Sequence, residues 1–331
     1  SRGTRQPACG RSNRAFGCVA PHLDGQWAGK KLALHLFGTH VFSGGPNAGT
    51  VMDSWNYSST RENWAKEGLI QVAFDHRASG HFGKEGVNYM YRNLGYWEMQ
   101  DYMTMAKWFI ANGQADPTKI AITGFSYGGY MSCYALTYGA SVFTHAMAGG
   151  SVTSWELYDS HYTERFMDTP KENPEGYKSG SVLNWVKNYK GNLQLVHGTM
   201  DDNVHMQSSI QLLSAIEDAG KDVEFMLYPG GRHGWGGAKG KHFNDLKSKY
   251  IFKYLLEKPY KNYIVFKVDE LIYTNFSNSD IYGEQSIQHM KQLKKLTIHI
   301  SRLNNLDYLA YLRDLEELNI SFNNSLYESP K

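Results

Sequence analysis

The feature that most limits what this chain can fold into is a strand that runs straight into a serine flanked by glycines. Lys119-Ile120-Ala121-Ile122-Thr123 is a short β-branched run, and Gly124-Phe125-Ser126-Tyr127-Gly128 follows it directly. Gly129-Tyr130-Met131 then opens an apolar stretch that reads as a helix. Small residues on both sides of the serine let the backbone turn sharply and lift the hydroxyl above the edge of a sheet. In a chain with 33 glycines the Gly-x-Ser-x-Gly pattern alone is weak. The strand before it and the helix after it are the context that makes Ser126 the candidate nucleophile.

The neighbouring segments alternate in the same way. Leu69 to Phe74 is a buried-strand run, and Glu98 to Asn112 places Met99, Met103, Ala106 and Phe109-Ile110 at helical spacing. Further strands are expected within 140–148, 192–197 and 223–228, and helices over 207–219 and 243–255, the last stopped by Pro259. Strands alternating with helices predict an α/β class over residues 42–258, with a mostly parallel sheet and helices on both faces; the serine turn placed after one of those strands makes the expected form an α/β-hydrolase fold.

The flanks differ. Residues 1–41 hold six Arg or Lys against one acid, Asp24, and show no period before Leu32-Ala33-Leu34-His35-Leu36-Phe37. They read as a disordered basic arm ending in one strand, or as an artefact of assembly upstream of about residue 40. Residues 259–331 carry Leu293-x-x-Leu296-x-Ile298-x-x-Ser301 and again Leu315-x-x-Leu318-x-Ile320-x-x-Asn323. This is similar to the leucine-rich repeat. One step back lie Leu271, Thr274, Phe276 and Ser279, an eroded first copy. A plain amphipathic helix–loop segment is the competing reading of this tail.

A serine hydroxyl is barely nucleophilic at neutral pH, so it needs a base, and the base needs an orienting acid. In this fold the chain order is Ser, Asp, His. Asp201 and Asp202 follow the strand that ends near His197, where loops at a sheet edge carry function. His233, in Gly231-Arg232-His233-Gly234, follows the next strand and is the candidate base. His197, His205 and His242 read as strand-end packing or surface residues. Spacing alone does not separate Asp201 from Asp202.

Three segments resemble the catalytic motifs of the prolyl oligopeptidase family: Gly124 to Ser132, His197 to Val204, and Gly231 to Gly234. The stretch from Trp155 to Met167 (WELYDSHYTERFM) resembles the dipeptidyl peptidase IV branch and is far more specific than the serine motif. The similarity runs from about Gly44 to Lys258. It implies a serine peptidase in which Asp201 is the orienting acid. The backbone N–H of Tyr127 would donate to the oxyanion. Cleavage would fall after proline, or less well alanine, in an apolar pocket of Tyr127, Val152, Trp155, Tyr158, Tyr162 and Val204. Asn203 would bind a substrate carbonyl. Proline is compact, rigid and lacks an N–H, so a flat aromatic box suits its ring and leaves no donor unmet. Without the resemblance, the Trp-x-x-Tyr-x-x-x-Tyr spacing reads as one packed helix face. No metal or organic cofactor is implied.

The sequence departs from that family at Ser43, where a tyrosine normally supplies a second oxyanion donor just before the Gly-Pro loop, here Gly44-Gly45-Pro46. The family's β-propeller and the paired glutamates that hold a free amine have no match upstream. Three rivals therefore stand beside the post-proline peptidase: an impaired fragment of one, an interaction protein with a partner on the leucine-rich tail, and an esterase or acylaminoacyl peptidase. A formal charge of +2 gives no support to a nucleic-acid partner. No apolar run is long enough for a membrane span. Three cysteines build no disulfide framework. The chain opens on Ser1 with no leader pattern and reads as a fragment or a processed product.

Overall fold

The computed structural model describes residues 16–19, 32–37, 59–260, 270–274, 295–300 and 316–322. Backbone contacts gather into two units, Ser1–Pro259 and Tyr260–Lys331.

In the first unit the elements run β1 (Phe16–Val19), β2 (Leu32–Phe37), α1 (Ser59–Lys66), β3 (Leu69–Phe74), α2 (Gly83–Asn88), α3 (Tyr96–Ala111) and β4 (Ala115–Phe125). They continue with α4 (Tyr127–Thr137), β5 (His145–Gly149), α5 (Ser160–Met167), α6 (Pro174–Gly180), β6 (Asn192–Gly198), α7 (Gln207–Asp218), β7 (Glu224–Tyr228) and α8 (Gly237–Tyr250). A π-helical turn, Ile251–Leu255, extends α8. Seven strands form one sheet in the order β1-β3-β2-β4-β5-β6-β7. All neighbours pair in parallel except β1, which runs antiparallel to β3. This is the α/β-hydrolase-like fold.

Two strands come from the basic segment. β2 pairs with β3 on one side and β4 on the other, so the sheet begins upstream of residue 42. The strand at 32–37 is expected from its apolar run. Phe16–Val19 was not legible, because as an edge strand it needs pairing on one side only and carries little pattern.

The period-two alternation of the strands divides the core. Ile120 and Ile122 of β4, with Ala146 and Ala148 of β5, join α3, α4 and α7 in one buried cluster. Ala121 and Met147, pointing the other way, pack with Tyr250, Ile251 and Leu255 in another. Helices thus cover both faces. Every residue of α4 is buried, which explains why this helix is apolar all round rather than on one stripe. Its tyrosines remain satisfied: Tyr130 donates to the Leu94 carbonyl at 3.1 Å and Tyr134 to the Ser179 carbonyl at 2.9 Å.

In the second unit, β8 (Glu270–Thr274), β9 (Lys295–Ile300) and β10 (Glu317–Phe322) form a parallel sheet in the order β10-β9-β8. Leu318 pairs with Leu296 and Ile320 with Ile298, so the sequence repeat and the strand register coincide there. β8 differs from expectation: Leu271 pairs with Leu296, not with the Leu293 position that the spacing suggested.

Candidate active site

Ser126 sits between β4 and α4, at the N-terminus of the helix, with φ 59° and ψ −118°. A non-glycine residue holds this left-handed geometry only where its surroundings enforce it. Two features do so here. The Ser126 N–H donates to the Gly149 carbonyl at 2.8 Å. A Cβ on Gly124 would collide with the backbone of Gly128, so the turn closes only on glycine.

The structure brings Ser126, His233 and Asp201 together. His233 Nε2 lies 2.8 Å from Ser126 Oγ, and His233 Nδ1 lies 2.8 Å from Asp201 Oδ2 and 3.1 Å from Oδ1. The loop carrying His233 leaves β7 and the loop carrying Asp201 leaves the neighbouring β6. They are stitched by the Met200 N–H donating to the Gly231 carbonyl at 2.8 Å. The Phe125 ring meets His233 edge-on at 5.3 Å.

Asp201 accepts from the backbone N–H groups of Asn203 (3.0 Å) and Val204 (2.9 Å), and its carboxyl is fully buried. Burial works to raise its pKa, but hydrogen bonds from His197 and His233 overcome that and hold the carboxyl below the usual carboxylate range. Asp202 points elsewhere: it is exposed and pairs with Arg232 at 3.3 Å. The geometry separates the two acids that spacing left even.

The aromatic residues also converge, though not on one helix face. Trp155 lies in a 3₁₀ turn, Tyr158 is extended, and only Tyr162 lies in α5. Trp155 stacks on Tyr162 (6.3 Å, 22°) and packs against Tyr127 at 5.5 Å and Tyr158 at 6.2 Å. Val152 and Val204 are buried in the same cluster. The Tyr158 hydroxyl donates to Oδ1 of Asn203 at 2.7 Å. Tyr127 is the first residue of α4, where the helix supplies no acceptor for a backbone N–H. Ser43 lies outside the described residues.

Two residues escaped the sequence reading. Glu98, fully buried in α3, accepts the hydroxyl of Tyr127 and caps the Gly95 N–H at 3.0 Å. Burial raises its carboxyl to about 7. A Gly-x-x-Glu at a helix start is a capping signal, but nothing in it announces a link to the serine turn. The other is His197 in its link to Asp201: read as strand-end packing or surface, it packs fully buried near the end of β6, with Nε2 3.3 Å from Asp201 Oδ2. Among the described residues, no helix is long and apolar enough to cross a membrane, and no group of three or more His, Cys, Asp or Glu could hold a metal ion.

A parallel sheet carrying a serine on a strained strand-to-helix turn, hydrogen-bonded to a histidine from a later loop, defines an α/β-hydrolase-type serine site. A family model described as the prolyl oligopeptidase family, peptidase S9, matches residues 55–258, and the chain belongs to that family of serine peptidases. It is 41% identical over 182 residues to dipeptidyl peptidase 4 of Felis catus, covering 53% of this chain and 24% of that protein. It is 38% identical over 202 residues to prolyl endopeptidase FAP of Bos taurus, covering 60% and 27%. The chain thus spans about a quarter of the length of these relatives. The crystal structure of Porphyromonas gingivalis dipeptidyl peptidase 4 superposes with a TM-score of 0.64 at 30% identity, covering 73% of this chain and 35% of that one.

Proposed function

We propose that Ser126, His233 and Asp201 act as a catalytic triad that hydrolyses peptide bonds after proline or alanine. The observation that carries this is the continuous path from hydroxyl to imidazole to carboxylate, with 2.8 Å at both links. His233 Nε2 takes the Ser126 proton as Oγ attacks the substrate carbonyl. Asp201 keeps the proton on Nδ1 and stabilises the imidazolium. The Tyr127 N–H, at the positive end of α4, donates to the oxyanion. His233 then gives its proton to the leaving amine, the C–N bond breaks, and an acyl ester remains on Ser126. In the second half-reaction His233 deprotonates a water that attacks the ester and restores Ser126.

The proline preference rests on the aromatic box of Tyr127, Trp155, Tyr158 and Tyr162 closed by Val152 and Val204, and on the names of the relatives, a dipeptidyl peptidase and a prolyl endopeptidase. Asn203 is the proposed ligand of a substrate carbonyl. The experiment is labelling with a fluorophosphonate beside Ser126→Ala, followed by Gly-Pro, Ala-Ala and acetyl-amino-acid chromogenic substrates. Expected are labelling of the parent only and preference for Gly-Pro. Labelling no greater than in the variant would leave an impaired fragment, and equal turnover of all three substrates would remove the proline claim.

For residues 260–331 we propose a short stack of leucine-rich repeats. The parallel ladder pairs Leu296 with Leu318 and Ile298 with Ile320, and it supports that reading.

A further inference from the structure

Two histidines lie against the Asp201 carboxylate, and only one of them is the proposed base. The second, His197, lies near the end of β6, and its side chain is fully buried. Its Nδ1 lies 2.7 Å from Ser209 Oγ on α7, and its Nε2 lies 2.8 Å from the Val204 carbonyl and 3.3 Å from Asp201 Oδ2. Nε2 thus faces a carbonyl and a carboxylate, both acceptors. The neutral ring must carry its proton there, which leaves Nδ1 to accept from the Ser209 hydroxyl.

A carboxylate cannot orient a ring if it takes its own orientation from that ring. Oδ1 of Asp201 is held by two backbone N–H groups, whereas Oδ2 accepts from His233 and otherwise has only the His197 Nε2 beside it, at 3.3 Å, among the described contacts. Taking away His197 leaves Oδ2 bonded to the very imidazole it has to steer. The bond to the Val204 carbonyl also ties the loop of Asp201 and Asn203 back to the strand that precedes it.

We propose that His197 is a positioning residue: its Nε2–H fixes the Asp201 carboxylate and its loop, with Ser209 selecting the tautomer. This rests on the reading of Ser126, His233 and Asp201 as one catalytic unit. The resulting order is Ser209, His197, Asp201, His233, Ser126, with the two imidazoles facing the carboxylate from opposite ends and competing for it.

The test follows the His233 ring by proton–nitrogen NMR across pH in the parent chain, His197→Leu and Ser209→Ala, with the rate of fluorophosphonate labelling of Ser126 measured alongside. A carboxylate that loses the N–H beside it binds the imidazolium more strongly. The His233 midpoint in His197→Leu should therefore rise by about 0.5 pH and labelling should slow roughly tenfold. Ser209→Ala should move both in the same direction by about half as much, because the ring then donates more weakly. A histidine that only fills the core would leave the midpoint in place, and unchanged midpoints and rates in folded variants overturn the proposal. Should His197→Leu fail to fold by near-ultraviolet circular dichroism, Ser209→Ala decides alone, an unmoved midpoint again overturning it. If the parent itself is not labelled, the active reading of Ser126 falls, while the NMR shift still decides the role of His197.

Discussion

The hydroxyl of Tyr158 lies 2.7 Å from Oδ1 of Asn203, so a wall of the aromatic box holds the amide proposed to grip the substrate backbone. An oxygen already bonded to Tyr158 leaves Nδ2, a donor, to meet a carbonyl. Tyr158→Phe keeps the ring and removes that hold. We expect KM for a Gly-Pro chromogenic substrate to rise about fivefold with kcat within about twofold, as for one lost neutral hydrogen bond made in ground and transition state alike. A fall in kcat at constant KM would contradict this role.

The two adjacent acids should behave differently. Asp201→Asn keeps the shape but gives the imidazole the wrong tautomer, so kcat should drop by about 10⁴. Asp202→Asn alters an exposed pair with Arg232 and should change kcat by about twofold or less. Steady-state kinetics on both variants checks this, and equal losses would place the acid wrongly.

Glu98 makes stability depend on pH. Its ordinary pKa is 4.5, and burial raises it to about 7 in the folded chain. A carboxyl that resists ionisation when folded imposes no cost below pH 4.5, where both states are protonated. As pH rises through the window to about 7 the unfolded chain gains by ionising and the folded one does not, so stability falls by on the order of 3 kcal/mol and then levels. Glu98→Gln should flatten that slope between pH 5 and 7 in urea titrations. An unchanged slope would show that the carboxyl ionises freely.

Trp155 is 1% exposed and touches Tyr127, Tyr130, Tyr158 and Tyr162. Trp155→Ala removes the centre of that cluster and should lower unfolding free energy by about 3–5 kcal/mol. Denaturant midpoints measure it. Trp155→Phe should recover part of the loss and of the activity on Gly-Pro substrate.

The sheet and its helices were legible because alternation of apolar strands and amphipathic helices is written along the chain. Leu69–Phe74, Asn192–Gly198 and Gln207–Asp218 fall within a residue or so of where the pattern placed them. What escaped was non-local. Phe16–Val19 becomes a strand only by pairing with β3. Trp155, Tyr158 and Tyr162 look like one helix face but meet through a turn and an extended residue before α5 begins.

By itself the sequence determined which groups with chemistry are present and in what order: a serine at a glycine turn, then acids, then a histidine, each just beyond a strand. Local backbone preference and hydrophobic period depend on near neighbours, so one dimension is enough for them. Resemblance already favoured Asp201 over Asp202 where spacing could not; only the tertiary structure decided that His197 stands behind that acid and that Glu98 holds Tyr127. Those choices turn on which way a side chain points and which donors remain within about 3 Å of it, and they arise only when strands distant in sequence lie side by side.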